Sequence, residues 1–435
     1  MNKKDIFKEI IRYFHYWKPV EIRNRRISLP LNSGKIITVS GVRRSGKTFV
    51  LFDSILNLLK RGVKISEIIY INFEDERLEI KKEEFDLILQ AYQELYPDTE
   101  LSKVYFFFDE IQNIDGWEKF VRRLYDTVSK NIFITGSNSK LISTEISTSL
   151  RGRNLNYEIY PLSFSEFLDF NNIKIDLYHS VTRAKIALKS EEYILNGGFP
   201  EIVFMKKDLR IKTLQEYFNL MLFKDLIDRY NLRAHTHLIK YFIKKLIEGI
   251  STPISIHKIY NELKSQNYKM DKNLLYELME ELKSIYFFFS VYKYSNSIIK
   301  KEISEKKIYI VDNGLINAIS FNISENRGKL LENAVFMQMN SMDLEVFFYK
   351  NIKECDFILV KKNGKPEVYQ VSYDLTYPET RKREFDGILD ACRFFGFKKG
   401  TVITASEELE TNYNGIFIKV VPFYKWALSE TFDKN

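Results

Sequence analysis

The chain has 435 residues, 45% of them hydrophobic and 29% charged, with a formal net charge of +8. This composition is typical of folded globular protein and excludes a disordered chain, and the length predicts about two to four domains. No apolar run approaches the roughly 20 residues that span a bilayer, and the N-terminus lacks the apolar stretch of a signal peptide, so we expect no membrane partner.

Two further features of the composition bear on the compartment and the partners. The two cysteines, Cys355 and Cys392, are too few for a disulfide framework and favour a cytoplasmic protein. The positive charge is compatible with a phosphate-rich partner, but a lysine-rich surface is more often simply a solvated one.

The first third of the chain alternates short apolar runs with amphipathic helical patterns. The apolar runs predict strands at residues 36–40, 68–73, 104–108 and 132–135, with a helix that ends near Leu59 after the first of them. Continuous apolar strands separated by helices indicate a parallel sheet buried on both faces. In such an α/β fold, ligands bind at the carboxyl ends of the strands.

A glycine-containing motif, GVRRSGKT, directly follows the first strand. We assign cofactor binding to nine residues: Gly41, Val42, Arg43, Arg44, Ser45, Gly46, Lys47, Thr48 and Phe49. The glycines let backbone N–H groups point at phosphate oxygens, and the dipole of the following helix adds positive potential. Lys47 is expected to reach the β- and γ-phosphates, and the Thr48 hydroxyl to bind Mg²⁺. Since a strand precedes the motif and a helix follows it, the motif predicts binding of ATP with Mg²⁺ and not a coincidental loop.

Two adjacent carboxylates, Asp109 and Glu110, follow the apolar run VYFFF. We expect Asp109 to hold Mg²⁺ and Glu110 to polarise the attacking water as the general base of hydrolysis. A charged pair that only caps a buried strand is the plainer alternative. The phosphate loop earlier in the chain favours the catalytic interpretation.

The polar residues after the strand at 132–135 are candidates for a sensor of the γ-phosphate or of the catalytic water. Ser137 and Asn138 both occupy this position, and we assign the catalytic role to Asn138, although the pattern itself does not distinguish the two. A polar turn without a chemical role is the alternative.

Six further segments accompany these motifs: FEDERL at 73–78, FFFDEIQNIDGWEKFVRRLYD at 106–126, TGSNSKLIS at 135–143, SLRGR at 149–153, YPLSFSEFL at 160–168 and YILNGGFPEIV at 193–203. Together with GVRRSGKT they resemble the AAA-family ATPases of archaea and bacteria that carry a DUF4143-type region after the ATPase core. The adjacent Asp-Glu pair resembles the branch of P-loop NTPases that hydrolyses ATP with a glutamate on the strand. That resemblance implies the strand order 5-1-4-3-2.

Two arginines gain interest within this resemblance. Arg151 and Arg153 are candidate catalytic residues that would neutralise charge on the γ-phosphate, in cis or from a neighbouring subunit. The alternative is a pair of surface arginines that bond local carbonyl oxygens.

The residues after the ATPase core divide by pattern into three further domains. With the P-loop ATPase domain at 1–160, we predict a helical, lid-like region at 161–235, a winged helix-turn-helix at 236–320 and an α/β domain at 321–435. Three helices, the second of them capped by Ser255, and then two strand-like runs form the outline of the winged helix.

Five lysines of the predicted winged helix are placed to meet nucleic-acid phosphates: Lys269, Lys272, Lys293, Lys300 and Lys301. The same fold also serves as a protein-interaction module or as a lid on ATPases. Duplex DNA and a protein are therefore alternative partners, and the sequence predicts no oligomeric state.

The C-terminal domain resembles the restriction-endonuclease-like fold in the spacing of Glu332, Asp356 and the strand that holds Gln370. The resemblance implies a Mg²⁺ site for phosphodiester cleavage. The chain departs from that pattern, because Gln370 is neutral where a second acid is expected and Ser372 stands in place of a lysine. These departures favour an inactive fold that binds nucleic acid or a protein over an active nuclease.

The leading hypothesis is a Mg²⁺-dependent ATPase whose nucleotide state is coupled to the binding of DNA or of another partner. A nucleotide-dependent protein-interaction switch is the first alternative. An ATP-dependent metal nuclease is the second.

Overall fold

The computed structural model describes residues 2–16, 22–138, 150, 152–268, 270–295, 297, 304–320, 327–342, 344–360 and 366–429. The chain forms two compact units. The first unit comprises Met1–Ile159 and the short segment Ser284–Tyr286, and the second comprises Tyr160–Lys283 and Phe287–Asn435.

The first unit is built on a five-stranded sheet, in which every pairing is parallel. Its strands are β1 (Ile36–Gly41), β2 (Ile68–Asn72), β3 (Tyr105–Asp109), β4 (Ile132–Gly136) and β5 (Asn154–Ile159). They lie in the order β5-β1-β4-β3-β2. The predicted parallel sheet and its order 5-1-4-3-2 are confirmed, and each predicted strand is found within one residue of its expected bounds.

Helices cover both faces of this sheet. They are α1 (Lys3–Tyr16), α2 (Lys47–Lys60), α3 (Asp86–Leu95) and α4 (Trp117–Thr127). Successive residues of β3 point to opposite faces, so that Phe106 and Phe108 join one buried cluster with α1, α3 and α4, whereas Phe107 joins a second cluster with α2. The two clusters explain why β3 is apolar on both faces up to Asp109.

The second unit begins with helices. Its described helices are α5 (Phe164–Phe170), α6 (Ser180–Asn196), α7 (Lys207–Leu220) with a π-helical continuation (Met221–Asp228), α8 (Thr236–Glu248), α9 (Ile256–Ser265), α10 (Lys272–Ser284), α11 (Asn313–Ile319), α12 (Arg327–Asn340), α13 (Pro378–Phe395) and α14 (Phe423–Ser429). The hydroxyl of Ser255 accepts a hydrogen bond from the Lys258 amide at 3.4 Å, which confirms the predicted cap of α9.

A nine-stranded mixed sheet runs through the second unit. Its strands are β6 (Pro253–Ile254), β7 (Phe288–Lys293), β8 (Lys306–Ile310), β9 (Glu345–Lys350), β10 (Glu354–Val360), β11 (Glu367–Val371), β12 (Lys399–Thr404), β13 (Leu409–Tyr413) and β14 (Ile416–Pro422). They lie in the order β13-β14-β12-β11-β10-β9-β7-β8-β6. α13 connects β11 to β12, which pair in parallel, and packs its apolar face on the sheet.

The predicted division into four domains stays a prediction. The first unit ends at Ile159, next to the predicted boundary at 160. Apart from Ser284–Tyr286, the residues after Ile159 form one unit, in which β7 of the predicted wing pairs with β9 of the predicted C-terminal domain. The three helices α8, α9 and α10 and the antiparallel pair β7–β8 are present as expected, but the pair is part of a larger sheet.

Within the described part of the chain, no helix combines the length and the apolar character needed to cross a membrane.

Candidate functional site

The loop between β1 and α2 curls through residues with left-handed backbone. Arg44 has a φ of 68°, and Gly46, the N-cap of α2, has a φ of 98°. Since Gly46 has no side chain that could cap the helix, the amides of the first turn of α2 are left for a ligand. The buried hydroxyl oxygen of Ser45 has no hydrogen-bond partner among the described residues. An uncapped helix N-terminus beside an unsatisfied hydroxyl fits a phosphate group.

The Lys47 side chain is buried at the centre of this loop. Its ammonium donates to the carbonyl oxygens of Gly41 at 3.1 Å and of Val42 at 3.3 Å, and it lies 3.3 Å from the Glu110 Oε1 atom. The structure therefore brings the predicted phosphate-binding lysine against the predicted general base.

Asp109, at the end of β3, accepts hydrogen bonds from three hydroxyl groups. Thr48 Oγ1 and the Tyr70 hydroxyl donate to Oδ2 at 2.7 Å and 2.9 Å, and Thr135 Oγ1 donates to Oδ1. Burial and then the charge of Glu110 raise the pKa of Asp109 above its ordinary value, while the three donors oppose the shift. A divalent cation beside Asp109 and Thr48 would offset this cost, and both residues supply the oxygen ligands that Mg²⁺ prefers.

Glu110 adopts a left-handed backbone with a φ of 50°. Its amide donates to Thr135 Oγ1 at 2.8 Å, and its carboxylate accepts from Gln112 Nε2. Burial on its own raises the pKa of Glu110, but the positive charges of Lys47 and Arg43 outweigh it and leave this pKa below its ordinary value. Glu110 is therefore ionised at neutral pH, as a general base must be.

The predicted sensor residues lie directly after β4, and both are buried. Ser137 Oγ lies 3.4 Å from Gln112 Nε2, so that Gln112 connects Ser137 with Glu110. Asn138 is the residue to which we assigned the catalytic role, and that assignment stays a prediction.

The remaining residues of the loop surround this centre. Arg43 forms an ion pair with Glu74 at 2.8 Å, which places the FEDERL segment beside the loop. Val42 is buried, whereas the Phe49 side chain is 52% exposed and has its ring against Phe52. Phe49 therefore lies in the first turn of α2 with its ring partly exposed to solvent, so only its backbone can belong to the predicted cofactor site.

Three residues of the site were missed by the sequence analysis. Tyr70 comes from β2, Thr135 from β4 and Gln112 from the turn after β3. Gln112 and Thr135 lie in segments that carry the family resemblance, but the resemblance gives them no chemical role, and Tyr70 lies outside those segments. Their position near the carboxyl ends of strands in a parallel sheet could have indicated them.

Arg153 corrects an expectation. Its carbonyl oxygen accepts from the Ile36 amide at 2.8 Å, and its guanidinium pairs with Asp126 at 2.9 Å. β1 begins at Ile36, and the phosphate loop follows the other end of this strand. Arg153 lies beside Ile36, so it is about 17 Å from the phosphate loop, at the amino ends of the strands. Arg153 therefore does not reach the phosphate loop in cis, and a role from a neighbouring subunit stays a prediction. Arg151 lies outside the described residues.

The predicted metal site of the second unit is assembled in part. Glu332 and Asp356 meet at one point, as expected, but each contacts the ammonium of Lys307, at 3.2 Å and 2.8 Å. Gln370 Oε1 accepts from the Asp356 amide at 3.2 Å and Gln370 Nε2 donates to Glu384 at 2.6 Å.

Two other backbone contacts complete this region. Ser372 Oγ donates to the carbonyl oxygen of Asp374 at 3.0 Å, so this hydroxyl is engaged with its own turn. The Val371 amide donates to Asp356 Oδ2 at 3.0 Å. These contacts hold Asp356 in place without a metal ion.

The lysines of the predicted winged helix are described only in part. Lys272 begins α10 with its ammonium over the Tyr276 ring, at 5.5 Å from the ring centroid. Lys293 ends β7 and lines a cavity of about 460 Å³ together with Tyr294 and Lys350. Lys269, Lys300 and Lys301 lie outside the described residues.

Family models match two parts of the chain. Residues 33–168 match the model of the AAA domain. Residues 188–326 match a domain of unknown function, DUF8612, where the sequence analysis expected a DUF4143-type region.

Several solved structures resemble the chain weakly. One of them is the Aeropyrum pernix Orc1 protein in complex with DNA, which is 13% identical in sequence and has a TM-score of 0.31. The match covers 75% of this chain and 93% of that chain. AMPPCP-bound DnaA from Aquifex aeolicus shares 14% identity, with 64% of this chain and 86% of that chain covered and a TM-score of 0.24. At these scores the fold assignment depends on the strand order of the chain itself.

Two relatives match almost the whole chain. The uncharacterized protein MJ1544 of Methanocaldococcus jannaschii is 37% identical over 445 residues, which cover 99% of this chain and 96% of the relative. An uncharacterized protein of Haemophilus influenzae is 32% identical, with 90% of this chain and 94% of the relative covered. The chain contains an AAA domain and belongs to the same family as MJ1544 of Methanocaldococcus jannaschii.

Proposed function

We propose that this protein binds ATP with Mg²⁺ in the loop between β1 and α2 and hydrolyses it. The observation that carries the proposal is that two residue pairs meet at the carboxyl ends of β1 and β3. Thr48 contacts Asp109 at 2.7 Å, and Lys47 contacts Glu110 at 3.3 Å. A metal-binding pair thus lies beside a pair made of a phosphate-binding cation and a general base.

Each residue then has a defined task. The uncapped amides of α2 and the Ser45 hydroxyl bind phosphate oxygens, and Thr48 with Asp109 would hold Mg²⁺. The bound ion supplies positive charge that neutralises the phosphates. Lys47 exchanges its contact with Glu110 for a phosphate oxygen, which leaves the Glu110 carboxylate to accept a proton from the attacking water.

The lysine contact can be tested by substitution. Lys47→Ala should lower kcat for ATP hydrolysis by about 100-fold or more, because it removes a cation that stabilises developing charge on the phosphates. Released phosphate is measured under multiple turnover, with circular dichroism to confirm folding. Lys60→Ala, at the exposed far end of the same helix, is the matched control and should turn over at the wild-type rate. Turnover that survives Lys47→Ala overturns the proposal.

We further propose that the nucleotide state controls the binding of duplex DNA. Support comes from the formal net charge of +8 and from the lysines of the predicted winged helix, of which Lys272 and Lys293 are described. A protein partner for the same surface is the competing proposal.

A further inference from the structure

A buried ammonium lies at the centre of an acidic cluster in the second unit. Lys307, on β8, is 1% exposed. Its Nζ atom lies 2.8 Å from Asp356 Oδ1, 3.0 Å from Glu354 Oε1 and 3.2 Å from Glu332 Oε1. Three carboxylates from α12 and β10 therefore converge on one nitrogen atom.

Further contacts bind this cluster into the fold. The Tyr309 hydroxyl donates to the same Glu332 oxygen at 2.7 Å, and the other Asp356 oxygen accepts from the Val371 amide at 3.0 Å. The Lys307 ammonium also lies 5.8 Å from the centroid of the Phe348 ring. The Lys307 ammonium is therefore enclosed by the folded unit and shielded from solvent.

We propose that the Lys307 ammonium permanently occupies the cation position of this acidic centre, so that the C-terminal domain is not a metal-dependent nuclease. The proposal concerns the second unit alone and does not depend on the ATPase activity.

The distances exclude a lysine and a metal ion in the same place. A Mg²⁺ ion binds carboxylate oxygens at about 2.1 Å, so an ion held by these three oxygens would overlap the Nζ atom. Across the described residues, no group of three or more histidine, cysteine, aspartate or glutamate side chains is arranged to hold a metal ion.

The electrostatics agree with the geometry. Burial lowers the pKa of Lys307, but Asp356 and Glu332 outweigh this effect and raise the pKa well above its ordinary value, so the ammonium persists at every working pH. Burial and the charge of Asp356 raise the pKa of Glu332 to about 8.

The decisive experiment measures Mn²⁺ binding by the full-length protein in the absence of nucleotide. The wild-type protein should show no Mn²⁺ site that depends on Asp356, and it should leave plasmid DNA intact in the presence of Mn²⁺. Lys307→Met keeps the length of the side chain and removes its charge. This variant should gain one Mn²⁺ equivalent, bound at least 10-fold more tightly than any Mn²⁺ in the wild type, and adding Asp356→Asn should abolish the gain.

A matched control comes from the neighbouring residue. Lys306 lies on the same strand with its ammonium over the Tyr292 ring, at 4.4 Å from the centroid, and Lys306→Met should gain no Mn²⁺ site. If the wild-type protein binds Mn²⁺ at a site that Asp356→Asn abolishes, or cleaves DNA, the proposal is wrong. A folded Lys307→Met variant that binds no Mn²⁺ also overturns it. Should Lys307→Met not fold, the wild-type measurements with and without Asp356→Asn still decide the question.

Discussion

Asp109 is held by one hydroxyl group from each of three elements. Thr48 belongs to α2, Tyr70 to β2 and Thr135 to β4, and all three donate to its carboxylate. Thr135 has a second task, since its oxygen also accepts the amide of Glu110 at 2.8 Å. A single side chain thus positions the predicted metal ligand and the predicted general base together.

This double contact makes Thr135 a positioning residue. Thr135→Val keeps the shape of the side chain but removes its donor and its acceptor. Loss of such a contact behind a metal ligand typically costs about 10- to 100-fold in metal affinity or activity, and we expect a fall of that size in kcat/KM at limiting Mg²⁺. The measurement is ATP turnover as a function of Mg²⁺ concentration.

Thr135→Ser is the matched control for this prediction. It retains the hydroxyl and should restore most of the activity and the ordinary dependence on Mg²⁺. If the valine and serine variants show equal activity, Thr135 serves packing and does not position Asp109.

At the scale of single elements, the end of β1 depends on a close approach to β5. Gly41 pairs with Ile159 and has a φ of 146°. A Cβ atom at Gly41 would lie 2.0 Å from the Ile159 carbonyl oxygen, which is a backbone atom that cannot move aside. The phosphate loop therefore requires glycine here for the packing of two strands as well as for the curl of the backbone.

Gly41→Ala should destabilise the first unit more than an ordinary glycine substitution. Left-handed strain costs about 1 to 2 kcal/mol and overpacking about 1 to 3 kcal/mol, so we expect the free energy of unfolding to fall by about 2 to 5 kcal/mol. Chemical denaturation measures this change.

Gly62 provides the comparison. Its φ is 90°, but a Cβ atom there would meet no atom within 4 Å. Gly62→Ala should therefore lose only the strain of about 1 to 2 kcal/mol. Equal losses for the two variants would refute the close approach of Gly41 to β5.

At the scale of the whole molecule, the proposed response to nucleotide connects the ATPase centre with a partner. The first unit holds the phosphate loop, and the second holds the mixed sheet with the lysines Lys272 and Lys293. Since Lys307 contacts the three carboxylates of the acidic cluster, the contribution that we propose for the second unit is binding and not cleavage.

Affinity for duplex DNA should fall as salt rises, because lysines that neutralise phosphates release counterions. The double variant Lys272→Glu/Lys293→Glu should weaken binding across all sequences and reduce the salt slope by about 1 for each phosphate that is no longer neutralised. ATP should shift the affinity relative to ADP. Fluorescence anisotropy over a salt series measures all three effects.

Lys119→Glu makes a similar charge change on the exposed surface of α4 and should leave DNA binding unaltered. No binding at low salt would end the DNA proposal. Nucleotide-dependent capture of a purified protein partner would then favour the competing one.

The sequence by itself determined the phosphate loop and the carboxylate pair after β3. GVRRSGKT and the Asp109-Glu110 pair are contiguous, so their chemistry depends on local backbone geometry that a short pattern reveals. The five-stranded order also followed, since apolar strands separated by helices restrict the topology and the family resemblance supplied the order.

Only the tertiary structure decided which residues from distant segments meet. Thr135 and Tyr70 reach Asp109 from neighbouring strands. Lys307 enters the acidic cluster of Glu332 and Asp356. Arg153 lies at the amino ends of the strands, away from the phosphate loop. The pairing of β7 with β9 likewise merges regions that the pattern had separated. The physical reason is the same in each case: strand pairing and register join residues far apart in the chain, and no local pattern encodes that choice.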